Sequence, residues 1–155
     1  MRQIVLLDLN YTLIGNSVQR RRVRPWTLKL AGEAYRPWMV RMLAGRDVIL
    51  ITARAQYQKE QTMRQLRERI PELEFLGSFF NEHSTSPPIS KRRALMEHIF
   101  PQWGRQGEGV EYVAWESNGS TRQMYLEFGI PSMLVGLDPM TVEEAQRAEV
   151  QETLF

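Results

Sequence analysis

Residues 3–12 read Gln3-Ile4-Val5-Leu6-Leu7-Asp8-Leu9-Asn10-Tyr11-Thr12. Residues 3–7 show no alternation of polar and apolar side chains. They predict a strand buried on both faces, the pattern of a parallel sheet. A carboxylate follows at once. An acid directly after a fully apolar strand is costly unless it is paired or used. Asp8 is therefore either a buried acid capping the next turn or a functional group, and the second reading is favoured.

Working outward, strand and helix signals alternate. Residues 14–37 lack clean periodicity; Gly15, Asn16, Ser17 and Pro25 predict a turn and then an irregular or hairpin-like excursion. Pro37 opens a helix that Gly45 ends from the C′ position. Residues 48–51 form the second strand. Residues 56–70 are helical, with Met63, Leu66 and Ile70 on one stripe and Pro71 as the stop. A third strand covers 74–80, and 84–88 is a loop by composition. Ser90 is the expected N-cap of a helix that Pro101 stops after Phe100. The fourth strand is 110–115, the next helix 120–128 with Gly129 as its cap, and the fifth strand 133–135. Thr141 and Glu144 form a capping box that opens a last helix over 141–155. This order implies a single α/β domain over 1–155: a three-layer, Rossmann-like parallel sheet with helices on both faces. In such sheets ligands sit beyond the carboxyl ends of the strands.

Composition bounds the function. With 43% hydrophobic and 25% charged residues the chain is globular. It has no cysteine, which excludes thiolate metal sites and a cysteine nucleophile. Its only histidines are His83 and His98, read as structural or solvated, so a histidine-rich metal site is not expected. No run of 18 apolar residues predicts a membrane span. The first residues resemble no signal peptide, so the expected location is cytoplasmic. Residues 1–70 carry 14 Lys/Arg against 5 Asp/Glu, whereas residues 71–155 carry 6 against 13. Much of the excess is Arg20, Arg21, Arg22, Arg24 and Lys29. Such a cluster is either a solvated basic loop or an attractor for an anionic partner.

The strand ends carry the chemistry. Asp8-Leu9-Asn10-Tyr11-Thr12 follows the first, Thr52-Ala53-Arg54 ends the second, Ser90-Lys91 follows the third, and Glu116-Ser117-Asn118 follows the fourth. LLDLNYTL resembles the first motif of the haloacid-dehalogenase-like (HAD) superfamily of phosphotransferases, an apolar strand followed by D-x-D-x-T. ILIT resembles the second motif, Lys91 matches the third, and YVAWES resembles the fourth. The resemblance spans residues 3–136. Thr52-Ala53-Arg54 and the course of residues 91–116 look most like the phosphatase domains of polynucleotide kinases.

The resemblance implies an Mg²⁺-dependent phosphatase. Asp8 would be the nucleophile and form an aspartyl-phosphate. Asp8, the backbone carbonyl of Asn10 and Glu116 would hold Mg²⁺, which keeps hard oxygen ligands and several waters. Thr52 would bond a phosphoryl oxygen, and Lys91 would offset charge on Asp8 and the phosphate. Thr12, Arg54, Arg20, Arg21 and Arg22 would help bind substrate. The 14–37 excursion sits where that family places its squiggle and flap, and no large cap domain fits between Ala53 and Ser90. An open site with basic residues beside it suits a large phosphorylated substrate, such as a nucleic-acid end.

The bland readings are an ordinary strand residue for Thr52, a solvated Lys91 and a surface acid at a helix N-terminus for Glu116. Lys91, Arg92 and Arg93 are expected in the first helical turn, where the macrodipole disfavours cations and a nearby anion would explain Lys91. Two departures stand out. Asn10 occupies the place of the acid that protonates the leaving group, and lost acid–base catalysis costs about 10²–10⁴-fold. Glu116 stands where the family usually has two Asp; Asp138 is a weaker candidate ligand. These departures leave a second reading: a degenerate domain that binds a phosphorylated or nucleic-acid ligand without turnover. Oligomeric state is not readable.

Overall fold

Strand β1 (Arg2–Leu7) is the axis of the computed structural model, which describes residues 1–135. The predicted 141–155 helix and Asp138 lie outside the described residues. Strands β2 (Val48–Ala55), β3 (Phe75–Asn81), β4 (Val110–Glu116) and β5 (Ser132–Leu134) complete one parallel sheet in the order β3-β2-β1-β4-β5. The apolar run of β1 is buried on both faces, as its sequence requires. Val5 and Leu7 enter one core cluster, and Ile4 and Leu6 the other.

Helices cover each face. On the Leu7 side pack α3 (Pro37–Leu43), through Met39, Val40 and Leu43, and α4 (Lys59–Arg69), through Met63 and Leu66. On the Ile4 side pack α5 (Pro87–Ala94), α6 (Phe100–Trp103) and α7 (Gly119–Glu127), through Ala94, Phe100, Met124 and Tyr125. This is the expected three-layer, Rossmann-like fold. The chain leaves β1 for β2 on one side and returns to β4 on the other, so the β1/β4 boundary is a topological switch point. Among the described residues no helix is long and apolar enough to cross a membrane.

Several local expectations change. The 14–37 excursion contains two short helices, α1 (Ser17–Arg20) and α2 (Trp26–Ala31), between limbs joined by an antiparallel Ile14–Tyr35 bridge. A wide turn, Leu9–Leu13, with non-helical backbone at Asn10 and Tyr11, precedes it directly after Asp8. The N-cap of α5 is Ser86, not Ser90, with Pro87 as the first helical residue. Lys91 therefore lies a turn further in, beyond the first turn where the macrodipole disfavours a cation. Pro101 does not stop the helix. A π-helical turn, Leu95–Ile99, widens the backbone where the proline ring would meet the preceding carbonyls, and helix resumes as α6.

Candidate functional site

Of the strand-end residues, Asp8, Lys91 and Glu116 meet at the switch point. Asp8 leaves the end of β1, Glu116 is the last residue of β4, and Lys91 enters from α5 above the same face. Lys91 Nζ donates to Asp8 Oδ1 at 2.8 Å and to Glu116 Oε2 at 2.6 Å. All three are buried, Lys91 at 1%, Glu116 at 1% and Asp8 at 6% exposure. Thr12 Oγ1 donates to Asp8 Oδ2 at 2.6 Å, and Ser117 Oγ donates to the same oxygen at 3.4 Å. The backbone N–H of Asn118 donates to Glu116 Oε1 at 3.1 Å. The surface-acid reading of Glu116 and the solvated reading of Lys91 both fail on burial.

Two buried carboxylates share one ammonium, so the fully ionised cluster carries net negative charge. Burial pushes Glu116 up to about 7, with the charge of Asp8 acting the same way and Lys91 opposing both. Burial alone would discharge Lys91, but Asp8 and Glu116 outweigh it and hold its pKa above the ordinary lysine value. Tyr125, packed behind them on α7, is raised by burial, and its hydroxyl has no hydrogen-bond partner among the described residues.

A stability prediction follows from Glu116. Its raised pKa means that the folded state binds this proton more tightly than the unfolded chain does. The stabilising contribution is full below the unfolded value of 4.5 and is lost as pH rises through about 7. In metal-free buffer with chelator, the wild type should lose more unfolding free energy between pH 5 and pH 8 than Glu116→Gln does. Denaturant titrations at both pH values check this; parallel losses in the two proteins would contradict it.

Thr52 does not join the cluster. Side chains alternate along β2: Val48 and Leu50 face one core, and Ile49 and Ile51 the other. Thr52 is in phase with Leu50, on the face away from Asp8. Its Oγ1 accepts from the backbone N–H of Arg54 at 3.1 Å. Ala53, not Thr52, lines the Asp8 cleft, a cavity of about 360 Å³ that also contains Asn10, Tyr11, Lys91, Glu116 and Ser117. Tyr11 stands at that cleft with a left-handed backbone, φ 62°, a conformation uncommon for a bulky residue and enriched at functional turns.

Arg54 shares the face of Thr52. Its guanidinium donates to Glu33 Oε2 and Asn10 Oδ1, both at 2.7 Å, and to Thr62 Oγ1 at 3.1 Å. It also lies over the Trp26 ring, 4.9 Å from the centroid. Asn10 is thus anchored by Arg54. The basic excursion divides in two. Arg20 is structural: its guanidinium donates to Leu28 O at 2.7 Å and packs against Gly32, where a Cβ would fall 2.0 Å from it. Arg21 and Arg22 are exposed and do not line the cleft. The sequence motifs include Ser117 and Tyr11 without a role, and Glu33 was missed. Ser117 was findable as the neighbour of a strand-end acid; Glu33 had no local signal.

His83 and His98 are half-exposed beside Glu82, at 3.9 Å and 3.7 Å, and His98 stacks on Phe79. Among the described residues no group of three or more His, Cys, Asp or Glu side chains gathers as a metal cluster.

No family model matches the chain. No curated protein matches it. Solved structures do. A chain of the Pnkp1/Rnl/Hen1 RNA repair complex superposes with a TM-score of 0.65 at 20% identity, over 87% of this chain and 42% of that one. A chain from a further structure of the Pnkp1/Rnl/Hen1 complex gives a TM-score of 0.64 at 20% identity, over 87% of this chain and 46% of that one. This chain spans less than half the length of either neighbour. The likeness shows a shared α/β fold, carried in both neighbours by a protein of an RNA repair assembly.

Proposed function

We propose that this chain is a haloacid-dehalogenase-like phosphohydrolase that acts through Asp8 on the terminal phosphate of a nucleic-acid strand. The observation that carries the reading is the buried Lys91 ammonium bridging Asp8 and Glu116 at the topological switch point. The sequence resemblance implies this constellation, and the fold shared with RNA repair proteins supports a nucleic-acid end as substrate.

The donor set fits Mg²⁺. Asp8 and Glu116 provide hard carboxylate oxygens at one open cleft, and one or two carboxylates with waters are what such sites use. Asp8, the Asn10 carbonyl and Glu116 would hold the ion. When bound, it would screen the repulsion between the Asp8 carboxylate and an incoming phosphate.

The residues divide the work as follows. Lys91 and Thr12 orient the Asp8 carboxylate, one on each oxygen. A carboxylate oxygen attacks phosphorus, the phosphorus–oxygen ester bond breaks, and the leaving alkoxide takes a proton from water. Water then attacks the aspartyl-phosphate, loses its proton to solvent, and releases inorganic phosphate and free Asp8. Ser117 at the cleft rim takes the phosphoryl-oxygen contact that the resemblance implied for Thr52. The direct test is phosphate release from phosphorylated oligonucleotides and from an aryl phosphate, with Mg²⁺ and with chelator. Release that depends on Mg²⁺ is expected.

Asn10 sets the rate. An amide cannot exchange the proton that both half-reactions need. Asn10→Asp should speed alkyl phosphate hydrolysis by about 10²-fold, the lower end of the range for general acid–base catalysis. The reason for the lower end is Arg54, 2.7 Å from Asn10 Oδ1. It would keep a new carboxylate ionised, which suits water activation better than leaving-group protonation. Single-turnover kinetics should place most of the gain in breakdown of the aspartyl-phosphate. A folded Asn10→Asp variant, inactive with Mg²⁺ on a broad ester panel, would shift the reading to a domain that binds without turnover.

A further inference from the structure

A second cavity adjoins the Asp8 cleft. It has a volume of about 330 Å³, within the range of small-ligand sites, and shares Asn10 as a common wall. Arg24, Lys29 and Arg54 line it, together with Trp26 and Tyr57, and none of its lining residues is an acid. Arg54 is matched by Glu33. Arg24 is not matched: its guanidinium reaches only the carbonyls of Val23 at 2.9 Å and Arg21 at 3.3 Å. Lys29 has no ion pair among the described residues. Two unneutralised cations therefore face one hollow. Tyr57 is 83% exposed, the most exposed aromatic among the described residues.

We infer that this cavity holds the nucleotide next to the terminal phosphate of a single-stranded nucleic acid. The inference rests on the reading that the Asp8 cleft takes that terminal phosphate. Arg24 and Lys29 carry the charge that a phosphodiester requires. Tyr57 and Trp26 carry the ring surface on which a base stacks, and stacking of this kind tolerates any base. The shared Asn10 wall makes the two cavities consecutive, as one strand entering from its end would need. An isolated inorganic phosphate would use the cations but not the rings. A duplex would keep its bases stacked on each other and leave Tyr57 without a partner.

The experiment is an anisotropy titration of the full chain with a fluorescein-labelled, terminally phosphorylated single-stranded oligonucleotide in EDTA, where no turnover occurs. Arg24→Ala with Lys29→Ala should weaken binding at least tenfold at low salt. It should also reduce the slope of log affinity against log salt by about 1.4, from roughly 0.7 per lost contact. Tyr57→Ala should weaken binding by about tenfold with no change of slope. All three positions lie outside the Asp8 cluster, so aryl phosphate hydrolysis with Mg²⁺ should stay within about twofold of wild type. Unchanged oligonucleotide affinity in these variants overturns the inference, as does wild-type binding no tighter than that of inorganic phosphate in competition. Tighter binding of a blunt duplex, indifferent to Tyr57→Ala, also overturns it. If binding responds as expected but no ester is hydrolysed, the cavity assignment stands and the catalytic reading falls. If aryl phosphate is hydrolysed but no oligonucleotide binds at low salt, the reverse holds.

Discussion

Asp8→Asn should abolish phosphate release while leaving the protein folded and, in metal-free buffer above pH 7, more stable. The catalytic loss should be on the order of 10⁴–10⁶-fold, the scale seen when a nucleophile or its partner is removed. An amide has the shape of the carboxylate and can still accept from Lys91, while Thr12 rotates its hydroxyl to suit the NH₂. The gain in stability follows from charge. The wild-type cluster holds two buried carboxylates against one ammonium. Removing one carboxylate leaves a balanced Lys91–Glu116 pair and takes away one of the two causes that raise Glu116. Any rise in melting temperature that Mg²⁺ gives the wild type should also disappear, since ligand stabilisation requires a site. Phosphate-release assays and melting curves read the two effects separately. An Asp8→Asn protein that retained activity would remove Asp8 from the chemistry.

Lys91→Met should destabilise the fold by about 3–5 kcal/mol, the cost of leaving a buried charge uncompensated. Methionine replaces most of the volume, so the loss is electrostatic rather than a cavity effect. Asp8 and Glu116, both largely buried, would then face each other with no cation between them. The loss should shrink at pH 5, where Glu116, already pushed up to about 7, takes a proton. Lys91→Arg should not restore wild-type stability, because a planar guanidinium must fit where a compact ammonium is 1% exposed. Denaturant unfolding at pH 8 and pH 5 tests both statements. Equal stability of Lys91→Met and wild type at pH 8 would show that the cluster is solvated.

The sheet was legible because its strands are short apolar runs closed by polar or charged residues or by glycine, and β1 needs no context to be read. Asp8, Lys91 and Glu116 were legible through their order along the chain, which the topology converts into proximity. What escaped has definite causes. The helices α1 and α2 are too short for a period to register, and they are held by distant contacts, Trp26 Nε1 to Gln61 Oε1 at 2.7 Å among them. Ser90 and Ser86 are both good caps by composition; Pro87 at the first helical position decides between them. Pro101 looked like a stop because a widened turn before it has no sequence signature. Thr52 was placed by its motif, but the period of two along β2 puts it out of phase with Asp8. Glu33 meets Arg54 across 21 positions of chain that include α3 and most of β2, and nothing near either residue announces the pair.

The limbs of the excursion are fastened at their base. Ile14 bridges Tyr35, Asn16 holds Gly32 O and Ala34 N, both at 2.9 Å, and Arg69 donates to Glu33 O at 2.9 Å. Everything that departs from this clasp returns to it. The segment between can therefore change in length at little entropic cost, because doubling a closed loop costs only about 0.6 kcal/mol. Asp8, Lys91 and Glu116 lie outside the clasp. Divergence in what the fold recognises can proceed by rewriting one stretch of some fifteen residues, without renegotiating the three charges on which the core depends.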